Sequence, residues 1–145
     1  MIKLITEIES TYPLMKQLRQ HISLEQFLNI YNQAHKSDGY NIYGYIDTEK
    51  TSQQTDHVRV VGLMGVRILY DYVHGRHLYI DDLVVDETCR SQGVGKKLLD
   101  YAEDLAKKFD CTGLRLCTGV ENKDGMRFYE RENWKQRAVV FKKKL

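Results

Sequence analysis

An α/β fold, with helices packed on a mixed sheet, is what this 145-residue sequence predicts. Three observations lead there. Apolar strand-like runs dominate the first 85 residues, interrupted by two stretches of helical spacing. A long apolar run then turns back on itself at His74-Gly75. The remainder reads as strand, then helix, then strand, an order that builds a layered α/β sandwich. The length suits one domain, residues 1–145, around a single core. No Pro/Gly/Ser-rich linker and no internal repeat divides it.

Each element has its own signal. Ile2 to Ile8 is a short apolar run, the first strand. Tyr12–Arg19 and Leu24–His35 have helical spacing, with Leu14, Leu18, Phe27, Ile30 and Tyr31 expected to face inward. Ser23 and Gln26 form a capping box for the second helix, and Ser37-Asp-Gly39 ends it. Tyr40–Ile46 reads as the second strand and the polar stretch Thr48–Asp56 as a loop. Val58–Tyr72 carries apolar residues on both faces (Val60, Val61, Leu63, Met64, Val66, Ile68), which predicts a central strand covered on both sides. His77–Val85 returns as the fourth strand of a hairpin. Gly93–Phe109 is the clearest helix, with Val94, Leu98, Leu99, Ala102, Leu105, Ala106 and Phe109 on one face. Leu114–Cys117 is a short buried strand in which Cys117 is a small core residue. Lys123–Asn133 is a helix and Val139–Lys143 a last strand.

Composition narrows the function classes. A net charge of +2 gives no case for bulk nucleic-acid binding. No apolar run reaches the length of a membrane span, and no signal-peptide pattern precedes Ile2, so no membrane partner is expected. Cys89, Cys111 and Cys117 are too irregular for a disulfide frame or a zinc site, and the odd count points to a reducing cytoplasm. His21, His35, His57, His74 and His77 show no ligand spacing, so no metal is expected, and His77 is expected at the surface.

The chemistry concentrates in Leu83-Val-Val-Asp-Glu-Thr-Cys-Arg-Ser-Gln-Gly-Val-Gly-Lys-Lys-Leu-Leu99. A buried strand leads through a turn into a glycine-rich helix start, where unpaired amides and partial positive charge suit a phosphate. Arg90 adds a cation at the mouth. A Walker loop ending at Gly95-Lys96 would need glycine at position 90, where Arg90 stands, and Ser or Thr at 97, where Lys97 stands. A dinucleotide fingerprint would need glycine at position 98, where Leu98 stands. What remains, Arg90-x-x-Gly93-x-Gly95 after a strand, resembles motif A of the Gcn5-related N-acetyltransferase (GNAT) family.

A second stretch strengthens the resemblance. Asn122-Lys-Asp-Gly-Met-Arg-Phe-Tyr129-Glu-Arg-Glu-Asn-Trp134 is similar to that family's motif B, in which a Tyr follows an Asn by seven residues. Gly125 replaces the usual Ala, and Asn133-Trp134 replaces a Gly-aromatic pair. Asn is the second-best residue at a left-handed helix end, so the backbone role is kept. His77-Leu-Tyr-Ile-Asp81-Asp82-Leu-Val-Val85 is further similar to the fourth strand of the diamine (spermidine/spermine) acetyltransferase branch.

The resemblance implies a GNAT fold, a mixed sheet of about six to seven strands with about four helices, and a set of roles. The backbone of Ser91, Gln92, Gly93, Val94, Gly95 and Lys96, with Arg90, would hold the pyrophosphate of acetyl-CoA as co-substrate. The backbone of Leu83, Val84 and Val85 would run beside the pantetheine arm, and the Val84 or Val85 amide could polarise the thioester carbonyl. Asn122 would contact pantetheine or cap its helix. Tyr129 would protonate the departing thiolate, and Asp81 would draw the proton from the acceptor amine, leaving Asp82 structural. Neighbours on a strand face opposite sides, so only one of the two acids is expected in the cleft, with Leu83 and Val85 on the face of Asp81. Tyr31, Tyr40, Tyr43 and Tyr45 wall the acceptor pocket or serve as core and rim residues. The expected activity is N-acetylation of a small-molecule primary amine, a polyamine or an amino-acid-like compound, in a ternary complex. A protein or peptide N-acetyltransferase and a non-catalytic acyl-CoA-binding module stay open as alternatives, as does a homodimer.

Overall fold

Backbone pairing and helical capping divide the chain as follows in the computed structural model, which describes residues 1–47 and 59–145. The order is β1 (Ile2–Leu4), a 3-10 turn (Ile8–Thr11), α1 (Tyr12–Leu18), α2 (Leu24–Asp38), β2 (Asn41–Asp47), β3 (Arg59–Asp71), β4 (Gly75–Val85), α3 (Val94–Lys108), β5 (Gly113–Leu116) and α4 (Lys123–Arg131). The expected loop Thr48–Asp56, His57 and the start of the third strand at Val58 lie outside the described residues. Two compact units emerge, 1–115 and 116–145.

In the first unit the sheet runs in chain order, β1-β2-β3-β4-β5, with successive strands from β1 to β4 antiparallel. β3 is buried from Val61 to Val66, the covering on both faces that its apolar pattern predicts. Its alternation assigns the layers. Leu63 belongs to a core with Leu14, Met15, Phe27 and Tyr40 from the α1–α2 segment and Val84 from β4. A side chain at Gly62 would instead meet Val94 and Leu98 of α3. The sheet is thus sandwiched between α1–α2 and α3.

Local chemistry sets the ends. The Ser23 hydroxyl accepts from the Gln26 amide while the Gln26 side chain accepts from the Ser23 amide, the reciprocal capping box. Gly39, at φ 65°, stops α2 in the left-handed conformation that glycine adopts without strain. β1 ends early because the chain curls at Glu7, where Ser10 Oγ donates to the Glu7 carbonyl and Thr11 Oγ1 to that of Ile8. Ile30, expected inward, is 58% exposed, since α2 rests on the core chiefly through Phe27. α3 buries Val94, Leu98, Leu99, Ala102, Leu105 and Ala106 as its stripe predicts.

The second unit holds α4, whose end is a full Schellman motif. Asn133, at φ 67°, donates its amide to the Glu130 carbonyl, and Trp134 donates to that of Tyr129. Val139–Lys143 forms no strand. Val139, Val140 and Phe141 are exposed, and no described residue of this unit offers them a ladder. Five strands and four helices result among the described residues, against the six to seven strands expected. Cys117 follows β5 and is exposed rather than in the core. No helix among the described residues is long and apolar enough to cross a membrane.

Candidate active site

A slip in the β3–β4 ladder builds the acidic centre. Asp82 pairs with Gly65 and Ile80 with Val66, so Asp81 is an extra residue with no partner across the strand. Such a bulge turns two successive side chains to one side. Asp81 and Asp82 therefore both line one cavity on the α1–α2 face, where alternation alone allows only one of them. The face shared by Leu83 and Val85 is consequently not that of Asp81, and Val84 follows Asp82 into the α1–α2 core.

The two carboxylates are held differently. Asp82 has both oxygens engaged: Oδ1 accepts from Arg19 Nε at 3.2 Å and Nη2 at 3.0 Å, and Oδ2 accepts from the Tyr40 hydroxyl at 2.7 Å. Asp81 Oδ2 accepts from Arg67 Nε at 2.8 Å, and no hydrogen bond among the described residues involves its Oδ1. Burial raises the Asp81 carboxyl above the usual aspartate range, against the pull of Arg67. Arg67 is also tied to Asp38 at 2.8 Å and lies over the Tyr40 ring at 5.5 Å. Burial, and then Asp82, pushes the Tyr40 phenol well above an ordinary tyrosine, so its proton stays on the bond to Asp82. The tyrosine depends on Gly65, because a Cβ there would fall 1.9 Å from the Tyr40 hydroxyl oxygen.

The cavity measures about 380 Å³, at the small end of ligand pockets. Arg19, Arg67, Asp81 and Asp82 supply its charge, with His21 beside them. Phe27 and Tyr31 are prominent in its apolar wall. Of the four tyrosines considered for this wall, Tyr31 and Tyr40 line it. Tyr43 packs instead on Tyr101, and Tyr45 meets Lys97.

β4 leads from this cavity to the phosphate-type loop. β5 enters beside Arg76, whose carbonyl accepts the Thr112 amide, and Arg115 covers Tyr79. With four residues against the eleven of β4, β5 is exhausted before Leu83–Val85. Beyond Val85, Asp86 is braced by Arg59 at 3.0 Å and caps the turn through the Thr88 amide. Ser91 and Gly93 are then both left-handed, at φ 64° and 79°. A left-handed serine is a strained choice, the kind retained at ligand loops. The first bond of α3 runs from the Lys97 amide to the Gly93 carbonyl, so the Val94 and Gly95 amides precede the helical ladder. Gly93 has no heavy atom within 4 Å of where a Cβ would stand. The exposed Arg90 points its Nε at the Val85 carbonyl, 3.5 Å away. Lys96 joins Asp100 at 2.7 Å. An uncapped helix start, open space and a nearby cation fit a pyrophosphate.

In the second unit Asn122 caps α4, its Oδ1 accepting from the Gly125 amide at 3.1 Å and its Nδ2 donating to Thr118. Tyr129 is half-buried between Phe128 and Trp134, and burial raises its phenol.

Two residues of the site escape the sequence pattern. Arg19, just past α1, and Arg67 of β3 had no such signal, and Arg19 lies 63 positions from its partner Asp82. The histidines also differ from expectation. His77 is 1% exposed, and its Nε2 lies with an Asp71 oxygen and His74 Nδ1 within 4.8 Å of one another. An Asp-x-x-His-x-x-His spacing across the β3–β4 turn carries this grouping. Its groups are already occupied: His77 Nδ1 meets the Gly75 carbonyl, Arg115 donates to Nε2, and Asp71 accepts from the amides of Val73 and His74.

Comparison with known proteins shows the family and the fold. Residues 4–133 match the Acetyltransferase (GNAT) family. The chain is 32% identical over 123 residues to the uncharacterized N-acetyltransferase YhdJ of Bacillus subtilis, covering 85% of this chain and 80% of that protein. It is 33% identical over 87 residues to the aminoalkylphosphonate N-acetyltransferase of Salmonella typhimurium, covering 59% and 56%. The fold superposes on an aminoglycoside N-acetyltransferase solved with CoA at a TM-score of 0.80 and 18% identity, covering 99% and 93% of the two chains.

Proposed function

The chain belongs to the GNAT acetyltransferase family, an acetyl-CoA-using family of N-acetyltransferases, and from that premise we propose that it acetylates a primary amine of a small molecule by direct attack in a ternary complex. The observation that carries the reading is the Asp81 carboxylate, with one oxygen in no hydrogen bond among the described residues, facing a small cavity on the strand that leads into the α3 phosphate loop. The loop from Ser91 to Lys96, with Arg90, would bind the pyrophosphate of acetyl-CoA, and the open edge at Leu83–Val85 would receive the pantetheine arm as an added strand.

The chemistry follows from charge. The amine arrives protonated, since a free amine titrates near ~10. Asp81 removes that proton, through water or directly. The nitrogen then forms its bond to the thioester carbon while the Val84 or Val85 amide stabilises the oxygen. As the carbon–sulfur bond breaks, the sulfur takes a proton from Tyr129, and the second proton of the attacking nitrogen, lost as the amide forms, restores the phenol through water. A phenol near ~10 and a thiol near ~8.5 are close enough for that transfer, and the burial of Tyr129 keeps its proton in place beforehand. Asn122 holds the start of α4. Three free cysteines fit a reducing, cytoplasmic setting.

The test is CoA release from acetyl-CoA across a panel of amines, with Tyr129→Phe alongside. Turnover of one amine class that falls about 100-fold in the variant, at unchanged acetyl-CoA affinity, supports the reading. Full activity in Tyr129→Phe removes its role as the acid. Acetyl-CoA binding without turnover of any amine favours a protein substrate or a binding module, and no acetyl-CoA binding overturns the reading.

A further inference from the structure

The charge balance of the cavity goes beyond the statement that its acceptor is an amine. A pocket for a polycation needs carboxylates in excess. Here the lining sets Arg19 and Arg67 against Asp81 and Asp82, and each acid is already bonded to one guanidinium. Arg67 is itself fixed from two sides, by Asp81 and by Asp38, each at 2.8 Å. With Asp38 counted through its bond to Arg67, three carboxylates stand against two guanidiniums, so one ammonium balances the group and any further cation has no carboxylate left to meet. An anion on the acceptor needs a cation of its own, and the exposed side of Arg19 is placed to supply it.

Arg19 is the group built to take the anion. Its Nε and Nη2 rest on Asp82 Oδ1, and Nη2 also donates to the Asp81 carbonyl at 3.1 Å. Nη1 enters none of these bonds, and the side chain is 45% exposed. A guanidinium anchored along one edge, with its far nitrogen in no hydrogen bond among the described residues, is pre-oriented for a carboxylate or phosphonate oxygen. The bond to the Asp81 carbonyl puts this cation against the residue whose carboxylate faces the amine. The two charges of the acceptor are therefore only a few bonds apart.

We propose that the acceptor is a short zwitterion, a primary amine carrying a carboxylate or phosphonate group, and that Arg19 determines this specificity by binding the anion. The inference rests on the acetyltransfer reading above and selects within it. Polyamines are poor acceptors on this account, despite the likeness of the fourth strand to the diamine branch.

Two measurements separate the inference from the reading it rests on. The first is kcat/KM for β-alanine and aminoethylphosphonate, which distinguish the two anions, against propylamine and putrescine. The second is calorimetric binding of the same compounds to the protein with CoA present. The parent should favour one of the anion-bearing amines by at least about tenfold, a gap lying mainly in KM. That preference should collapse toward unity in Arg19→Gln and partly survive in Arg19→Lys. Circular dichroism and acetyl-CoA affinity would report whether each variant is folded. Equal or better use of propylamine or putrescine by the parent overturns the proposal, as does a preference that survives in Arg19→Gln. Arg19-dependent binding of an anion-bearing amine without turnover supports the specificity while removing the reaction. Binding of none of the four overturns the specificity whatever the enzyme does with other amines.

Discussion

Replacing Gly65 with alanine would put a methyl carbon 1.9 Å from the Tyr40 hydroxyl oxygen, 2.5 Å from Cζ and 2.7 Å from Cε2. The ring cannot move aside cheaply. Tyr40 is 6% exposed, belongs to the α1–α2 core and packs edge-on against Tyr31 at 6.0 Å. Overpacking of this kind costs about 1–3 kcal/mol. Displacing the hydroxyl also breaks its bond to the Asp82 carboxylate, a charge-assisted bond worth about 1.5–3 kcal/mol. Asp82 is 15% exposed, so water recovers part of the second amount. The expected total is about 2–5 kcal/mol, a shift of about 6–15 °C in Tm for a chain of this length. Urea unfolding with an unchanged m-value is the assay. Tyr40→Phe alone should cost about 1.5 kcal/mol, because it loses only the bond. The double variant should be about 1 kcal/mol more stable than the sum of the singles, since the closest clash is gone and the bond is lost once. Strict additivity, or Gly65→Ala within about 1 kcal/mol of the parent, would refute the packing argument.

Two further predictions concern the reaction and the loop. Burial raises the Asp81 carboxyl, and the ionised form is the proton acceptor, so the rate rises with pH through a midpoint above the ordinary ~3.9 of aspartate. Asp81→Asn should remove that acidic limb from the kcat/KM profile and lower its plateau about 100- to 10,000-fold; an unchanged limb would assign the titration to another group. Gly93→Ala meets no steric obstacle, only the left-handed φ of 79°, so it should cost about 1–2 kcal/mol of stability. It should also weaken acetyl-CoA binding through the α3 start it displaces. Calorimetry showing equal affinity would detach that loop from the cofactor.

What the sequence made legible was local. The Ser23–Gln26 box, the apolar stripe of α3 and the left-handed Asn133 each depend on residues within a few positions of one another, and each stands where its pattern placed it. Val139–Lys143 had the composition of a strand, yet pairing needs a neighbour that composition does not reveal. His77 was read as surface because histidine usually is. Its burial is made tolerable by the Gly75 carbonyl, next-but-one in sequence, and by Arg115, 38 positions away.

The acidic pair shows why the site itself was harder to read than the fold. Alternation along β4 is reliable only while every residue has a partner, and the parity argument for Asp81 and Asp82 assumed an unbroken ladder. The ladder breaks between Gly65 and Val66, and Gly65 is also where a side chain would expel Tyr40. The same glycine thus admits the tyrosine that binds Asp82 and sits opposite the bulge that turns Asp81 to the same face. One acid is then locked by Arg19 and Tyr40 while its neighbour keeps a carboxylate oxygen in no hydrogen bond among the described residues. Two adjacent identical residues acquire different chemistry because β3, not β4, carries the instruction. A Gly in the middle of a strand that otherwise reads as branched and apolar was the one trace of this in the sequence.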